Sequence, residues 1–213
     1  MNPDFLLTVL FVTGLIVEAM TGAISAGKKQ MDLFGVLVVA NVTAFGGGVV
    51  RDLLLDRHPI LFIGEPKFLL LTSICAIVMV VIARYFETLR WLFLSLDALG
   101  MITFSIVGAM RALDMGFGMA VASLTGMVTG VFGGIMRDIL CNEIPLAFRT
   151  ELYASVSIFS VCLYLVLRHL EAPESLSVPI TLAAGFILRI LAVKFDWHIP
   201  KFVYRSGPLD REE

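Results

Sequence analysis

Charge is scarce in this sequence. Asp, Glu, Lys and Arg make up 16% of its 213 residues, whereas about a quarter of a typical soluble domain is charged. Hydrophobic residues make up 58%, and the mean hydropathy is +0.92. Because so much apolar surface needs lipid to cover it, the composition excludes an ordinary soluble domain. The net charge of -2 and the missing basic stripe exclude a typical nucleic-acid-binding protein.

Cysteine and histidine are also rare, with three of each. They lie far apart along the chain: Cys75, Cys141, Cys162, His58, His169 and His198. Without CxxC spacing or clustered ligands, we expect neither a disulfide framework nor a zinc site, and we predict no metal and no cofactor. The sequence also lacks GxSxG, HExxH and a glycine-rich loop ending in GKS or GKT, so it does not predict an enzyme.

Long apolar segments alternate with short polar breaks along the whole chain. This pattern predicts an all-α membrane protein with a single domain over residues 1–200 and a polar cytoplasmic tail over 201–213. We expect seven transmembrane helices, at about 5–26, 33–55, 68–86, 91–111, 116–141, 151–168 and 178–195. The first is predicted as a membrane helix and not a signal peptide, because Asp4 stands where a basic region would be.

The distribution of positive charge predicts the orientation. With seven spans, nine Lys and Arg residues of the breaks and tail fall on one side of the membrane and four on the other. Cytoplasmic loops carry the excess of positive charge. The C-terminus is therefore predicted in the cytoplasm and the N-terminus on the outer, periplasmic side.

The chain contains an internal repeat at a fixed offset of 86 residues. Nine identities share this register: Gly22, Ala23, Thr43, Gly47, Gly48, Arg51, Asp52, Leu54 and Pro59 recur as Gly108, Ala109, Thr129, Gly133, Gly134, Arg137, Asp138, Leu140 and Pro145. Because an odd number of spans separates the copies, they must lie in opposite orientations. We predict two inverted three-helix repeats, about 5–86 and 91–168, with the helix at 178–195 outside them.

Glycine clusters lie in the middle of the second and fifth spans: Gly46, Gly47, Gly48, Gly133 and Gly134. Each costs a helix about 1 kcal/mol relative to alanine, so we expect a break there that frees the carbonyls of residues 42–46 and 129–132 to coordinate a cation. The alternative is close helix packing through small residues, which we assign to Gly126 and Gly130.

An arginine and an aspartate follow each cluster, as Arg51-Asp52 and Arg137-Asp138. A charge at membrane depth requires a partner. Because adjacent helical residues do not face each other, we expect these residues to pair across helices. They are candidates for a charged constriction at each end of an aqueous path; the alternative is a structural salt bridge or snorkelling.

Glu18 is too deep in the first span to snorkel, and Thr21 shares its face. We expect Glu18 either to attract a cation or to pair with one of the arginines. Asp97, nearer the start of its span, is predicted to be interfacial. Neutral polar groups are also expected in the path: Thr21 in the first span and, just before the predicted breaks, Asn41, Thr43 and Thr129.

The motifs TAFGGGVVRDLLL and TGVFGGIMRDIL, with AGKKQMDLFGVL, LDALG and EIPLAFRTELYA, resemble a known family over roughly residues 5–205. It is the bacterial family labelled a glycine-transporter domain, related to the trimeric intracellular cation (TRIC) channels. The resemblance implies seven helices, two inverted repeats, kinks at both glycine clusters and a homotrimer. It also implies one pore per protomer, conducting potassium and sodium. The chain departs from its own symmetry where Phe132 stands opposite Gly46, and Phe104 opposite Glu18.

We therefore predict a passive monovalent-cation channel in the bacterial inner membrane, a homotrimer in contact with membrane lipids and without a nucleic-acid partner. Arg51, Asp52, Arg137, Asp138 and Glu18 are its charged candidates. The alternative is a secondary transporter of a small solute such as glycine, whose half-helix N-termini after the breaks would hold a carboxylate. A third possibility is a structural membrane protein whose glycines serve packing alone.

Overall fold

A computed structural model describes residues 3–85, 89–148 and 152–197 of the chain; the tail predicted over 201–213 lies outside them. The described residues are helical, and none of them forms a strand. They form eight α-helices and one 3-10 turn: α1 (Pro3–Lys28), α2 (Leu33–Leu54), α3 (Leu61–Gly64), α4 (Lys67–Ala83), α5 (Arg90–Asp114), α6 (Met119–Leu140), the turn Leu146–Phe148, α7 (Ala154–His169) and α8 (Glu174–Lys194).

Each apolar segment found in the sequence coincides with one of these helices. Five of them, α1, α2, α5, α6 and α8, are long and apolar enough to cross a membrane. The apolar helices α4 and α7 are shorter, with 17 and 16 residues. The short helix α3 and the 3-10 turn were not predicted; both follow a proline in the breaks after α2 and α6.

The ends of α2 and α6 follow the internal repeat. Each helix is followed, one residue after its C-cap, by a residue in the left-handed region, Asp56 and Asn142, both at φ 51°. Asp and Asn tolerate this conformation better than other residues with a Cβ atom, so the same local chemistry ends both helices.

The helices pack as two groups of three. Helices α1, α2 and α4 contact one another, and so do α5, α6 and α7, while α8 packs on α7 and α5. The buried apolar side chains form two clusters, one containing Leu15 and Ala40 and the other containing Ile106 and Val161, and each cluster includes residues of both groups. The two groups meet where α1 packs on α5 and α2 packs on α6.

Helices α1 and α5 run antiparallel. The C-terminal Lys28 of α1 lies over the ring of Phe93 near the start of α5, with Nζ 4.6 Å from the ring centroid. At the other end, Leu6 of α1 shares a buried cluster with Met110 of α5. The first helices of the two groups, α1 and α5, therefore pack side by side in opposite directions.

The predicted glycine break is wrong. Helix α2 continues through Gly46, Gly47 and Gly48, and α6 continues through Gly133 and Gly134, without interruption. The cost of glycine within a helix is offset because the missing side chains let the two helices approach, as the contacts below show.

Candidate functional site

The glycine clusters lie where α2 and α6 cross. A Cβ atom on Gly47 would collide with the carbonyl oxygen of Thr129, and one on Gly133 would collide with the carbonyl oxygen of Thr43. Gly47 and Gly133 are equivalent in the repeat, and so are Thr43 and Thr129, so each contact is the repeat equivalent of the other. Reciprocal contacts of this kind are typical of a two-fold axis. Two of the carbonyls expected to be exposed by a break, those of Thr43 and Thr129, are instead packed on the facing helix.

The other glycines of the clusters have different surroundings. A Cβ atom on Gly46 would lie 2.7 Å from the sulfur of Met136, and one on Gly134 would lie 2.9 Å from the Tyr153 hydroxyl. At Gly48 the nearest atom is Nη2 of Arg51 at 3.8 Å, so this position has room for a methyl group.

The polar residues before the clusters are placed differently from one another. The hydroxyls of Thr43 and Thr129 donate to backbone carbonyls one turn earlier, Val39 and Thr125, at 2.6 Å each. Both threonines are buried beneath the crossing. Asn41 faces α4, where its side chain is hydrogen-bonded to residues of that helix: Thr72 and Ser73, at 2.6 and 3.0 Å.

At the end of α2, Arg51 pairs with the adjacent Asp52, with Nε and Nη2 donating to Oδ1 at 2.9 and 2.7 Å. The expectation that the pair would form across helices is therefore wrong at this site. The arginine side chain is long enough to fold back along the helix end. Asp52 is held toward it by the backbone amide of Leu61, which donates at 3.2 Å, and by Arg57 at 3.4 Å. Arg51 and Asp52 are both buried.

At the end of α6, Arg137 pairs both along its helix and across to another. Its Nε donates to Asp138 at 2.9 Å and its Nη1 donates to Asp97 of α5 at 2.5 Å. The same Nη1 lies 3.4 Å from the Thr21 hydroxyl of α1. The Tyr153 hydroxyl donates to Asp97 at 3.5 Å. Three helices, α1, α5 and α6, therefore meet at one buried guanidinium, and Tyr153 joins the group through Asp97.

Asp97 is fully buried in the protein, on the helix α5 that packs against α1 and α6. Its interfacial depth in the membrane stays a prediction. Its second oxygen, Oδ2, and Nη2 of Arg137 have no hydrogen-bond partner in the described part of the chain. Both atoms lie in the interior and leave capacity for water or an ion.

Both aspartates of the repeat are bound by the element that follows their helix. The backbone amide of Leu61 donates to Oδ2 of Asp52, and that of Leu146 donates to Oδ2 of Asp138 at 2.9 Å. Helix α3 and the 3-10 turn Leu146–Phe148 each supply one backbone amide to the aspartate of the preceding helix. A proline precedes both amides, Pro59 and Pro145.

Glu18 is buried between α1 and α5. Its Oε2 accepts a hydrogen bond from the Thr21 hydroxyl at 3.2 Å, and its carboxylate lies against Gly100, where a Cβ atom would collide with it. Among the described residues, no Lys, Arg or His nitrogen forms an ion pair with it within 4.0 Å. Of the two expectations, direct pairing with an arginine is not what the structure has.

A solvent-open pocket of about 200 Å³ lies beside this group, at the end where α1 and α6 finish. Its lining includes Ser25, Asp138 and Cys141, and Lys29 is ion-paired with Glu143 at its edge. Other lining residues include Lys28, Phe93 and Leu146. Two cations lie over the Phe93 ring: Nζ of Lys28 is 4.6 Å and Cζ of Arg137 is 4.8 Å from its centroid.

The sequence did not single out Tyr153 or Phe93, and it did not predict that Asp97 pairs with Arg137. Tyr153 is buried and its hydroxyl donates to Asp97, while Arg189 of α8 lies over its ring at 4.9 Å. The signal available for Asp97 was an acid within an apolar span. Phe93 and Tyr153 are aromatic residues of ordinary membrane type, and their pattern carries no signal for this role.

Comparison with known proteins identifies the family. The sequence model described as "Glycine transporter" matches residues 8–85 and 94–169. The chain is 35% identical over 200 residues to the UPF0126 inner membrane protein YadS of Escherichia coli (strain K12), covering 91% of this chain and 94% of that protein. It is 29% identical to the UPF0126 membrane protein YvgT of Bacillus subtilis (strain 168), covering 92% and 96%.

Solved structures show the same likeness. A TRIC trimeric intracellular cation channel orthologue from Rhodobacter sphaeroides superposes with a TM-score of 0.86 at 33% identity, covering 90% of this chain and 98% of that one. A prokaryotic TRIC channel crystallised in 0.5 M KCl superposes with a TM-score of 0.84 at 28% identity, covering 92% and 100%. The chain therefore belongs to the family of the TRIC trimeric intracellular cation channels, whose sequence model carries the description glycine transporter.

Proposed function

We propose that this protein is a channel for monovalent cations, potassium and sodium, with one pore in each protomer of a homotrimer. The observation that carries the proposal is the likeness to TRIC cation channels, at a TM-score of 0.86 over 90% of the chain. The buried charged groups at the ends of α2 and α6 support it, because ionisable residues within membrane spans usually mark ion pathways.

We propose that all seven long helices span the membrane as two inverted repeats, about 5–86 and 91–168, followed by α8. The reciprocal contacts between Gly47 and Thr129 and between Gly133 and Thr43 support the inversion. Helices α4 and α7 correspond by position in the repeats. Their 17 and 16 residues are near the lower limit of about 17 residues for a span.

The proposed path runs between α2 and α6, with Arg51-Asp52 at one end and Arg137-Asp138 at the other. The contact between Gly47 and the Thr129 carbonyl leaves no room for an ion at the crossing. Conduction through it therefore requires the two helices to separate there. The backbone carbonyls of residues 42–46 and 129–132 would then become available to a cation.

Arginines are unusual in a cation path, and their pairing answers the objection. Arg51 is bound by Asp52, and Arg137 by Asp97 and Asp138, so neither presents an uncompensated charge. We propose that these ion pairs form the constrictions, and that breaking them accompanies opening.

We place the protein in the inner membrane with its N-terminus periplasmic and its C-terminus cytoplasmic, so that the Arg137 end faces the cytoplasm. The nine-to-four charge asymmetry of the sequence supports this orientation. Contact with lipids is supported by the exposed apolar side chains of α4: Leu70, Ile74, Ile77, Val78 and Val81.

The proposal is tested by flux into liposomes containing the purified protein. Thallium entry, read with a trapped fluorescent dye, should occur without any other solute and should not saturate in the millimolar range. Entry that requires glycine and saturates with it would contradict the channel.

A secondary transporter of a small solute such as glycine is the second candidate, favoured by the description of the matching sequence model. Its expected carboxylate site needed half-helix N-termini after breaks in α2 and α6. Because both helices are continuous, those N-termini are not present in this conformation. Uptake of labelled glycine against its gradient would establish the transporter.

A further inference from the structure

The two repeats carry chemically different residues at some of their equivalent positions. The carboxylate of Glu18 lies against Gly100, and at the offset of 86 the ring of Phe104 lies against Gly14, where a Cβ atom would be 2.7 Å from the ring. Phe104 is thus the structural counterpart of Glu18. The same relation makes Phe11 the counterpart of Asp97, and the Phe11 and Phe104 rings lie 6.3 Å apart.

Under the repeat, the acidic pair Glu18 and Asp97 therefore corresponds to the aromatic pair Phe104 and Phe11. Glu18 and Asp97 are joined by a short polar chain: Thr21 Oγ1 is 3.2 Å from Glu18 and 3.4 Å from Arg137 Nη1, which is 2.5 Å from Asp97. Asp97 and Gly100 are three residues apart on α5 and so share the face that Glu18 contacts.

Two features of this pair leave its carboxylates able to accept a cation. Oδ2 of Asp97 is buried and has no hydrogen-bond partner among the described residues. Glu18 is 2% exposed and its hydrogen-bond partner is the neutral Thr21 hydroxyl. A buried carboxylate without a cation within contact distance is costly. Two further cations border the group at longer range, Lys28 beyond the Phe93 ring and Arg189 over the Tyr153 ring.

A polar route connects this pair to the solvent-open pocket. Glu18, Thr21, Ser25 and Lys28 follow one another at helical spacing along a single face of α1. Ser25 and Lys28 line the pocket, and Phe93 of α5 lies opposite Lys28. The Ser25 hydroxyl therefore continues the polar face of α1 from Glu18 and Thr21 to the pocket.

We propose that Glu18, Asp97 Oδ2 and the Thr21 hydroxyl form a binding site for a monovalent cation at the Arg137 end of the helix bundle. At the Arg51 end, Phe104 and Phe11 occupy the equivalent positions and exclude such a site. Carboxylate and hydroxyl oxygens suit alkali cations. A weak site suits conduction, because an ion must leave as readily as it enters.

The inference rests on the proposed channel function, since it places an ion site on that path. It is tested by crystallising the full chain in rubidium chloride and recording anomalous diffraction. We expect a rubidium peak at Glu18 in the wild type and its loss in Glu18→Gln. Glu65→Gln, which makes the same change at an exposed position in the loop before α4, is the matched control and should keep the peak.

Thermal unfolding in detergent provides a second readout. Replacing N-methyl-D-glucamine by potassium should raise the melting temperature of the wild type and of Glu65→Gln but not of Glu18→Gln, because a ligand that binds only the folded state stabilises it. If Glu18→Gln does not fold, Glu18→Asp keeps the charge on a shorter side chain and should shift or weaken the rubidium peak.

A wild type without the peak and without potassium-dependent melting would overturn the proposal, as would a peak that Glu18→Gln leaves unchanged. Bilayer recordings distinguish failure of the proposed ion site from failure of the proposed channel function. Currents without the peak would retain the channel and remove this site. A peak without currents would retain the site and remove the channel.

Discussion

Gly47 of α2 lies directly against the carbonyl oxygen of Thr129 of α6, so that the two helices touch backbone to backbone. The reciprocal contact joins Gly133 and Thr43. Contacts between a Cα hydrogen and a carbonyl oxygen recur where helices approach this closely, and small residues permit the approach. In the proposed channel this crossing is the point that has to widen.

Alanine at Gly47 should destabilise the protein by about 1–3 kcal/mol, because the new methyl group meets backbone atoms that cannot rotate away. The neighbouring Gly48→Ala is the matched control, since its methyl group would meet Arg51 Nη2 at an ordinary 3.8 Å. Alanine also favours the helix by about 1 kcal/mol at both positions. Thermal unfolding in detergent measures the difference; equal stability of the two variants would contradict the close contact.

Current through the folded fraction of Gly47→Ala separates function from packing. A methyl group between the helices should change the fraction of time that the proposed pore is open. Unchanged currents in both Gly47→Ala and Gly133→Ala would mean that the glycines serve packing alone.

The two arginines should differ in their effect on stability. Arg137→Met leaves Asp97 and Asp138 buried without their shared cation, and breaking a buried pair costs about 3–5 kcal/mol. Arg51→Met should cost less, because Asp52 keeps Arg57 and the Leu61 amide. Denaturant unfolding of both variants tests this order, and a larger loss for Arg51→Met would contradict it.

The helices could be predicted from the sequence because long apolar runs and their polar breaks are local features. The repeat also predicted which residues of α2 and α6 are equivalent, and the contacts of Gly47 and Gly133 follow that equivalence. The break was wrong because glycine propensity was weighed without the facing helix, which is distant in sequence.

The pairing of charges was harder to predict for a similar reason. Arg137 reaches Asp97 across 40 residues of sequence, a relation that no local pattern reveals. For Arg51 and Asp52, the rule that adjacent residues do not face each other applies to short side chains leaving the helix. It fails for a long guanidinium at a helix end whose aspartate is held by the following loop.

Cysteine labelling should establish the orientation. In a background without the three native cysteines, Lys29→Cys lies in the turn after α1 and Glu65→Cys in the loop before α4. A membrane-impermeant maleimide added to intact cells should label Glu65→Cys, and Lys29→Cys only after permeabilisation. The reverse pattern would contradict the proposed orientation while leaving the fold unaffected.

Native mass spectrometry should test the assembly. We expect the protein released from detergent at three times its 23.3 kDa chain mass, with bound lipid as satellite peaks. A monomer or a dimer under conditions that preserve the folded state would contradict the homotrimer.

The most direct measurement is a recording from the purified protein in a planar bilayer, with a potassium chloride gradient and no other solute. We expect discrete unitary currents that reverse near the potassium equilibrium potential and change in Gly47→Ala and Arg137→Met. Silence from protein that is folded and correctly inserted, with glycine uptake in parallel liposomes, would contradict the channel and establish the transporter.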